Sequence, residues 1–284
     1  MMTIPNLDEL ILSALREDIG DGDHSTLACI PSDYQGKAQM VAKAEGIICG
    51  IEVGKRVFEL VDPNTQVTTL LKDGDKIKKG DLIMIVEGAS GSILTAERTA
   101  LNFMQRLSGI ATQTNYMVGM LEGLHTRLLD TRKTTPGWRN MEKYAVAVGG
   151  ASNHRIGLFD RIMIKDNHRE MAGMEGPGGI LRSVERARKA YPELEIEVEV
   201  DTLEELDEAI KSGCEYILLD NMTTEMMAEA VKRNNGRAKL EASGNITIER
   251  LPEIAATGVD FASSGALTHS VKSADISLDI KPLK

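Results

Sequence analysis

From about residue 125 onward the chain keeps one rhythm: a short apolar run, a polar or glycine-rich stop, and usually a helical pattern after it. The runs occupy 125–130, 161–164, 196–200, 216–219, 238–240 and 259–262. The last four stop near Glu199, Asp220, Ser243 and Ser264, at spacings of 21, 23 and 21 residues. Each interval holds one helix and two connections, far more than a hairpin needs, so successive strands are expected to run parallel. Six such strands, with no GxGxxG after the first, favour a βα barrel over a dinucleotide-binding sheet. In a βα barrel the chemistry gathers at the carboxyl ends of the strands.

The first 120 residues read differently. Leu7, Leu10, Ile11, Ala14 and Leu15 recur at helical spacing and predict an opening amphipathic helix. From about Gly36 to Gly88 short β-prone runs alternate with Gly and Asp turns, which predicts a strand-and-turn scaffold. Its turn-rich half resembles a lipoyl-type sandwich, but no lysine stands on a tight hairpin as a carrier site. Thr95 is the expected N-cap of a helix running to Leu107, Ser108-Gly109 is expected to break it, and a second helix is expected to reach about Leu121. The helical pair is the expected junction between domains at 1–108 and 109–272.

With 33 basic and 43 acidic side chains the formal net charge is −10, which speaks against nucleic-acid binding. The charge is unevenly spread. Between Arg127 and Arg169 nine basic residues face four acidic ones, a local +5. A cationic island in an anionic chain suggests a site for a small anion, although a solvated helix face is the ordinary use of such a run. Three widely spaced cysteines form neither a metal pattern nor a disulfide framework. No basic-then-apolar leader opens the chain and no apolar run approaches 20 residues, so a cytoplasmic protein without membrane contact is expected.

The strand ends hold the residues that could do chemistry. Arg132 and Lys133, among three threonines and a Pro-Gly turn, could cradle carboxylate or phosphate oxygens. A glycine-rich bend at 149–150 precedes His154 and Arg155, where the histidine is either a ligand or a packed core residue. Lys165 directly follows three apolar residues and is either an anion ligand or a Schiff-base nucleophile. Period-two alternation puts Glu195, Glu197 and Glu199 on one strand face, which inside a barrel demands cationic partners. Glu199 and Asp220 could hold Mg²⁺ or sugar hydroxyls, with an N-cap as the alternative for Asp220. Ser243-Gly244 and Ser264-Gly265 end the last two strands, where small residues let backbone N–H groups approach a phosphate. A phosphorylated sugar and an anionic co-substrate are the expected ligands.

These motifs, in order, resemble one family. The resemblance runs through 17–26 (EDIGDGDHST), 97–102 (ERTALN), 107–112 (LSGIAT), 130–137 (DTRKTTPG), 153–158 (NHRIGL), 165–168 (KDNH), 197–199 (EVE), 218–221 (LLDN) and 264–270 (SGALTHS). It covers essentially the whole chain and points to the quinolinate phosphoribosyltransferases, decarboxylating enzymes of NAD biosynthesis. It implies an α/β fold with an N-terminal α/β sandwich to which residues 273–284 return, and an incomplete βα barrel. It further implies a homodimer in which Arg98 reaches the neighbouring active site, and a reaction joining quinolinate to phosphoribosyl pyrophosphate with Mg²⁺. On that basis Arg98, Arg132, His154, Arg155 and Lys165 are expected to bind the two quinolinate carboxylates, and Lys133 the phosphate or pyrophosphate oxygens. Glu199 and Asp220 are expected to serve the metal and the ribose, and Ser243, Gly244, Ser264 and Gly265 the 5′-phosphate. Lys133, Lys165, Glu199 and Asp220 are the expected catalytic groups, and Trp138 the packing residue beside them. A transferase acting on nicotinate or a related acid, and a non-enzymatic carrier, are the competing expectations.

Overall fold

The computed structural model describes residues 4–283, which divide into two compact units. The first takes its described residues from three stretches, 4–115, 135–150 and 270–283; the second is Tyr116–Thr134 with Ala151–His269.

In the first unit a helix at Leu7–Ile19 buries Ile11 and Leu15, as its apolar spacing requires. Strands β1 (Gln35–Ala42), β2 (Gly46–Ile47), β3 (Gln66–Thr69), β4 (Lys76–Ile77) and β5 (Leu82–Ala89) follow. All pairings among them are antiparallel. The strand-and-turn expectation for this region misses one helix, Ile51–Val61, which starts at Gly50 in the left-handed region (φ 91°) and buries Val53, Val57 and Phe58. Those three lie on one helical face, a period that β-branched composition disguises.

A single helix of 30 residues, Ser90–Gly119, replaces the expected pair. Thr95 lies inside it and donates its hydroxyl to Asp23 at 3.2 Å instead of capping it. Ser108 and Gly109 do not break it either. The Ser108 hydroxyl is fully buried, accepts from Cys49 N at 2.9 Å and donates to Cys49 O at 3.1 Å. A side chain at Gly109 would strike the backbone of Lys272 and Ser273, so the glycine admits a passing segment. The pair is a packing surface in the middle of a helix, and a Ser-Gly dipeptide reads as a breaker only when that neighbour is unknown.

The second unit is a parallel sheet of β6 (Arg127–Leu129), β7 (Ile162–Ile164), β8 (Ile196–Val200), β9 (Tyr216–Asp220), β10 (Lys239–Ser243) and β11 (Phe261–Ser263), in the order β6-β11-β10-β9-β8-β7. Beyond β6 there is one isolated parallel bridge, Leu129 to Ser152, and no closed barrel forms among the described residues. The helices between strands are set by local chemistry. Thr202 and Thr223 cap Leu203–Ser212 and Thr224–Asn234 by accepting from Glu205 N and Met226 N, and Gly213 and Asn235 end these helices in the left-handed region. Leu206, Ala209, Ile210, Met227 and Ala230 face the sheet, where Ile217 and Leu219 are fully buried. Each large side chain so buried contributes roughly 1.5–3 kcal/mol. After this unit β12 (Ile276–Pro282) returns to the first and pairs antiparallel with β1, completing a sheet of order β12-β1-β5-β3.

Candidate active site

The carboxyl ends of the parallel strands surround a cavity of about 610 Å³, within the range of small-molecule sites. Of the residues singled out from sequence, Arg132, Lys133, His154, Arg155, Lys165, Glu199, Asp220, Ser243 and Gly244 line it. They arrive from six different chain segments, as parallel strands ending on one rim dictate. Arg98 is exposed on the long helix of the first unit, and Ser264 and Gly265 are not among the lining residues.

The cationic side rests on buried anchors. Asp130, fully buried at the end of β6, accepts from His154 N and Asn153 Nδ2, each at 2.7 Å, and so fixes the segment carrying Arg155. Arg155 donates to Arg161 O at 3.2 Å, and burial together with the neighbouring Arg132 lowers its pKa from the usual value. Arg132 Nε is buried with no hydrogen-bond partner in the protein. A buried guanidinium donor left open is costly unless a ligand meets it. Lys133 is held by its backbone, its carbonyl accepting from the buried Thr268 hydroxyl at 2.7 Å and its N–H donating to Thr131 Oγ1 at 3.1 Å. Its side-chain stem passes Gly265, where a Cβ would stand 2.9 Å from Lys133 Cδ.

On the opposite side Lys165 Nζ pairs with Glu199 Oε2. Burial pushes the Glu199 carboxyl up from the ordinary range, Lys165 opposes that, and Asp220 and Asp166 add to it. Asp220 ends β9 and accepts from Asn221 Nδ2 at 2.8 Å. Ser243 and Gly244 end β10 beside them. The Ser264 hydroxyl is buried and donates to Ile246 O at 3.2 Å.

Beneath this rim lies a feature that sequence reasoning largely missed. His154 Nε2 stands 3.1 Å from Glu197 Oε2 and 3.3 Å from Glu241 Oε2, and Arg161 Nη1 stands 3.6 Å from Glu197. Both carboxylates are essentially inaccessible to solvent. The Arg155 backbone N–H donates to His154 Nδ1 at 2.7 Å, which reserves the lone pair of that nitrogen. The ring proton therefore sits on Nε2, facing the carboxylates, and Nε2 has no lone pair to offer a metal. The trio shares protons and is no cation cradle.

Burial opposes charge on His154 while the two glutamates favour it, but Nδ1 already accepts from the Arg155 amide and has no free lone pair for a second proton, so the ring stays neutral. Burial also raises both carboxyls. His154 and Arg161 reverse this for Glu197, which is held low, whereas for Glu241 the Glu197 charge adds to the rise. The extra proton thus belongs on Glu241. A glutamate between two buried apolar residues, Leu240 and Ala242, was the available signal. Trp138 stacks on Phe103 with ring centroids 4.7 Å apart, a packing contact within the first unit.

Fold and site together define an α/β protein whose parallel sheet gathers four cationic side chains, Arg132, Lys133, Arg155 and Lys165, beside Glu199 and Asp220 at one rim. Residues 23–108 match the family model for the N-terminal domain of quinolinate phosphoribosyl transferase, and residues 110–279 that for its C-terminal domain. A probable nicotinate-nucleotide pyrophosphorylase [carboxylating] of Bacillus subtilis (strain 168) is 45% identical over 275 residues, covering 96% of this chain and 93% of that one. The mitochondrial quinolinate phosphoribosyltransferase [decarboxylating] 2b of Nicotiana tabacum is 44% identical, covering 97% and 82%. The crystal structure of NadC from Streptococcus pyogenes superposes with a TM-score of 0.94 at 40% identity, covering 100% and 99%. The chain belongs to the quinolinate phosphoribosyltransferase family.

Proposed function

We propose that the chain transfers the phosphoribosyl group of phosphoribosyl pyrophosphate to quinolinate and releases CO₂ and pyrophosphate, leaving nicotinate mononucleotide. The observation that carries this reading is the rim itself: Arg132, Lys133, Arg155 and Lys165 converge on one cavity with a buried guanidinium donor open, opposite Glu199 and Asp220. Two carboxylates on a flat ring suit several cations better than one carboxylate does, which favours quinolinate over nicotinate.

Arg132, Arg155 and Lys165 orient the acid so that the ring nitrogen faces the sugar, a matter of positioning as much as affinity. His154 serves by fixing Arg155, since its own nitrogens point at the Arg155 amide and the glutamates. As pyrophosphate departs, positive charge grows at the anomeric carbon, and the carboxylates of Glu199 and Asp220 stabilise it. Lys133 meets the phosphate oxygens of the leaving group, and the Ser243-Gly244 turn receives the 5′-phosphate, backed by Ser264, whose hydroxyl donates to Ile246 O behind that turn. Glu199 and Asp220 present hard oxygen donors on neighbouring strand ends and fit Mg²⁺, which when bound would neutralise the pyrophosphate charge. A pair of chains with Arg98 completing the partner's cation set is part of the same proposal. Release of labelled CO₂ from carboxyl-labelled quinolinate, dependent on phosphoribosyl pyrophosphate, tests the reading. Turnover of nicotinate without CO₂ would replace it.

A further inference from the structure

The two ends of the cavity, carboxylate and phosphate, meet at a residue to which no substrate contact is assigned. Asn221 follows the last residue of β9 and is one of four non-glycine residues with a left-handed backbone among those described (φ 51°). Asparagine tolerates that conformation, so a turn residue is the plain explanation of its backbone. Its side chain asks for more. Nδ2 donates to Asp220 Oδ2 at 2.8 Å and the backbone N–H donates to Ser243 O at 3.0 Å. Oδ1 accepts from Asn245 Nδ2 at 3.4 Å. Gly244 is left-handed as well (φ 86°), and a Cβ there would press on the Asn221 amide, with Cγ at 2.7 Å and the backbone N at 3.0 Å. The glycine is thus small because the asparagine is there.

We propose that Asn221 is a positioning residue that locks the Asp220 carboxylate to the Ser243–Asn245 turn and so sets the distance between the metal-and-ribose end and the 5′-phosphate end of the site. The inference rests on the phosphoribosyl-transfer reading. Its physical sense lies in the choice of an amide. Asp220 and Glu199 repel one another across the rim, and an untethered Asp220 would rotate away. A lysine or arginine could hold it but would cancel the charge needed at the anomeric carbon. A neutral N–H donor holds the carboxylate and leaves its charge intact. Because the same side chain also contacts the turn after β10, a shift at either end is felt at the other.

Asn221→Gly keeps the backbone free to be left-handed and removes the amide, while Asn221→Asp keeps the shape and replaces the donor by a charge facing Asp220. Both should melt within a few degrees of the wild type. In Asn221→Gly the KM for phosphoribosyl pyrophosphate and the half-saturating Mg²⁺ concentration should each rise at least tenfold; in Asn221→Asp, whose added charge repels the substrate phosphates, the KM should rise further. The Kd for quinolinate alone, from titration calorimetry, should change less than twofold. Mn²⁺ bound without substrates, followed by its paramagnetic resonance signal, should weaken at least fivefold in Asn221→Gly, a readout independent of turnover. An Asn221→Gly protein with wild-type KM and Mn²⁺ affinity would overturn the inference, as would an equal loss of both substrates, which marks a general packing defect. A wild-type chain that releases no pyrophosphate would instead overturn the reaction reading on which it rests.

Discussion

Changing Glu241 to glutamine keeps its volume and a donor while removing its ability to ionise, and the pH dependence of stability then reports where the buried proton resides. The facing atoms of His154, Glu197 and Glu241 lie within 4.8 Å of one another. At that separation two full negative charges repel by roughly 3.5 kcal/mol at an effective dielectric of 20. Glu197 has Arg161 and His154 beside it, so the charge resides there and the proton on Glu241. An unfolded glutamate gives up its proton near pH ~4.3. Above that pH the native chain holds one proton more than the unfolded chain, until Glu241 reaches its own raised pKa. Wild-type stability therefore falls with rising pH across this window, and Glu241→Gln is spared that fall. Relative to the wild type, the variant should gain stability between pH 5 and pH 8, up to the repulsion above, a rise in Tm on the order of 5 °C. Glu197→Gln should behave in the opposite sense. Its folded pKa is depressed, so its contribution is present at neutral pH and disappears on acidification, and removing the charge should cost about 3–5 kcal/mol at pH 7. Calorimetric melting of the three proteins at pH 5 and pH 8 makes the comparison. A Glu241→Gln protein no better off at pH 8, or as damaged there as Glu197→Gln, would refute the proton assignment and put an imidazolium at His154.

Lys165→Ala and Arg132→Ala should each abolish quinolinate binding in titration calorimetry while leaving the melting temperature within a few degrees, since both side chains reach the cavity rim. Mixing an Arg98→Ala chain with a Lys165→Ala chain should restore part of the activity that either lacks alone, because one hybrid site would be intact; no recovery would count against a site shared between copies. Gly244→Ala should raise the KM for phosphoribosyl pyrophosphate by one to two orders of magnitude with little change in quinolinate affinity, the new methyl group being forced onto Asn221.

The second unit was legible because its period is mechanical: one strand, one helix and two connections fix the spacing, and the observed strands end at Val200, Asp220, Ser243 and Ser263. The rim residues followed from that, since parallel strands bring their ends together whatever the sequence between them. Three things resisted. Ser108-Gly109 looked like a stop because the segment it accommodates, Lys272 to Ser273, lies far along the chain. The helix Ile51–Val61 was hidden by valines that serve strands equally well. The Glu197–Glu241 core was half legible: alternation put Glu197 on an inward face in need of a cation, but proximity across three strands leaves no mark on local spacing, so Glu241 escaped. His154 shows the same limit, since a ligand and a buried anchor look alike in a string of letters.

The return of β12 to β1 has a consequence for how the chain is made. Between the end of β5 at Ala89 and the start of β12 at Ile276 the entire second unit must be synthesised. At about 5–20 residues per second, that leaves one edge of β1 unpaired for roughly 10–40 s after its other neighbour is in place. The residues awaiting partners include Ala38 and Met40, both fully buried in the finished protein beside Ile280 and Leu278. An open strand edge with apolar neighbours is the feature by which nascent chains stick to one another. The slowest step in bringing this protein to term is thus expected to be the arrival of its last strand, with the catalytic sheet already formed and waiting.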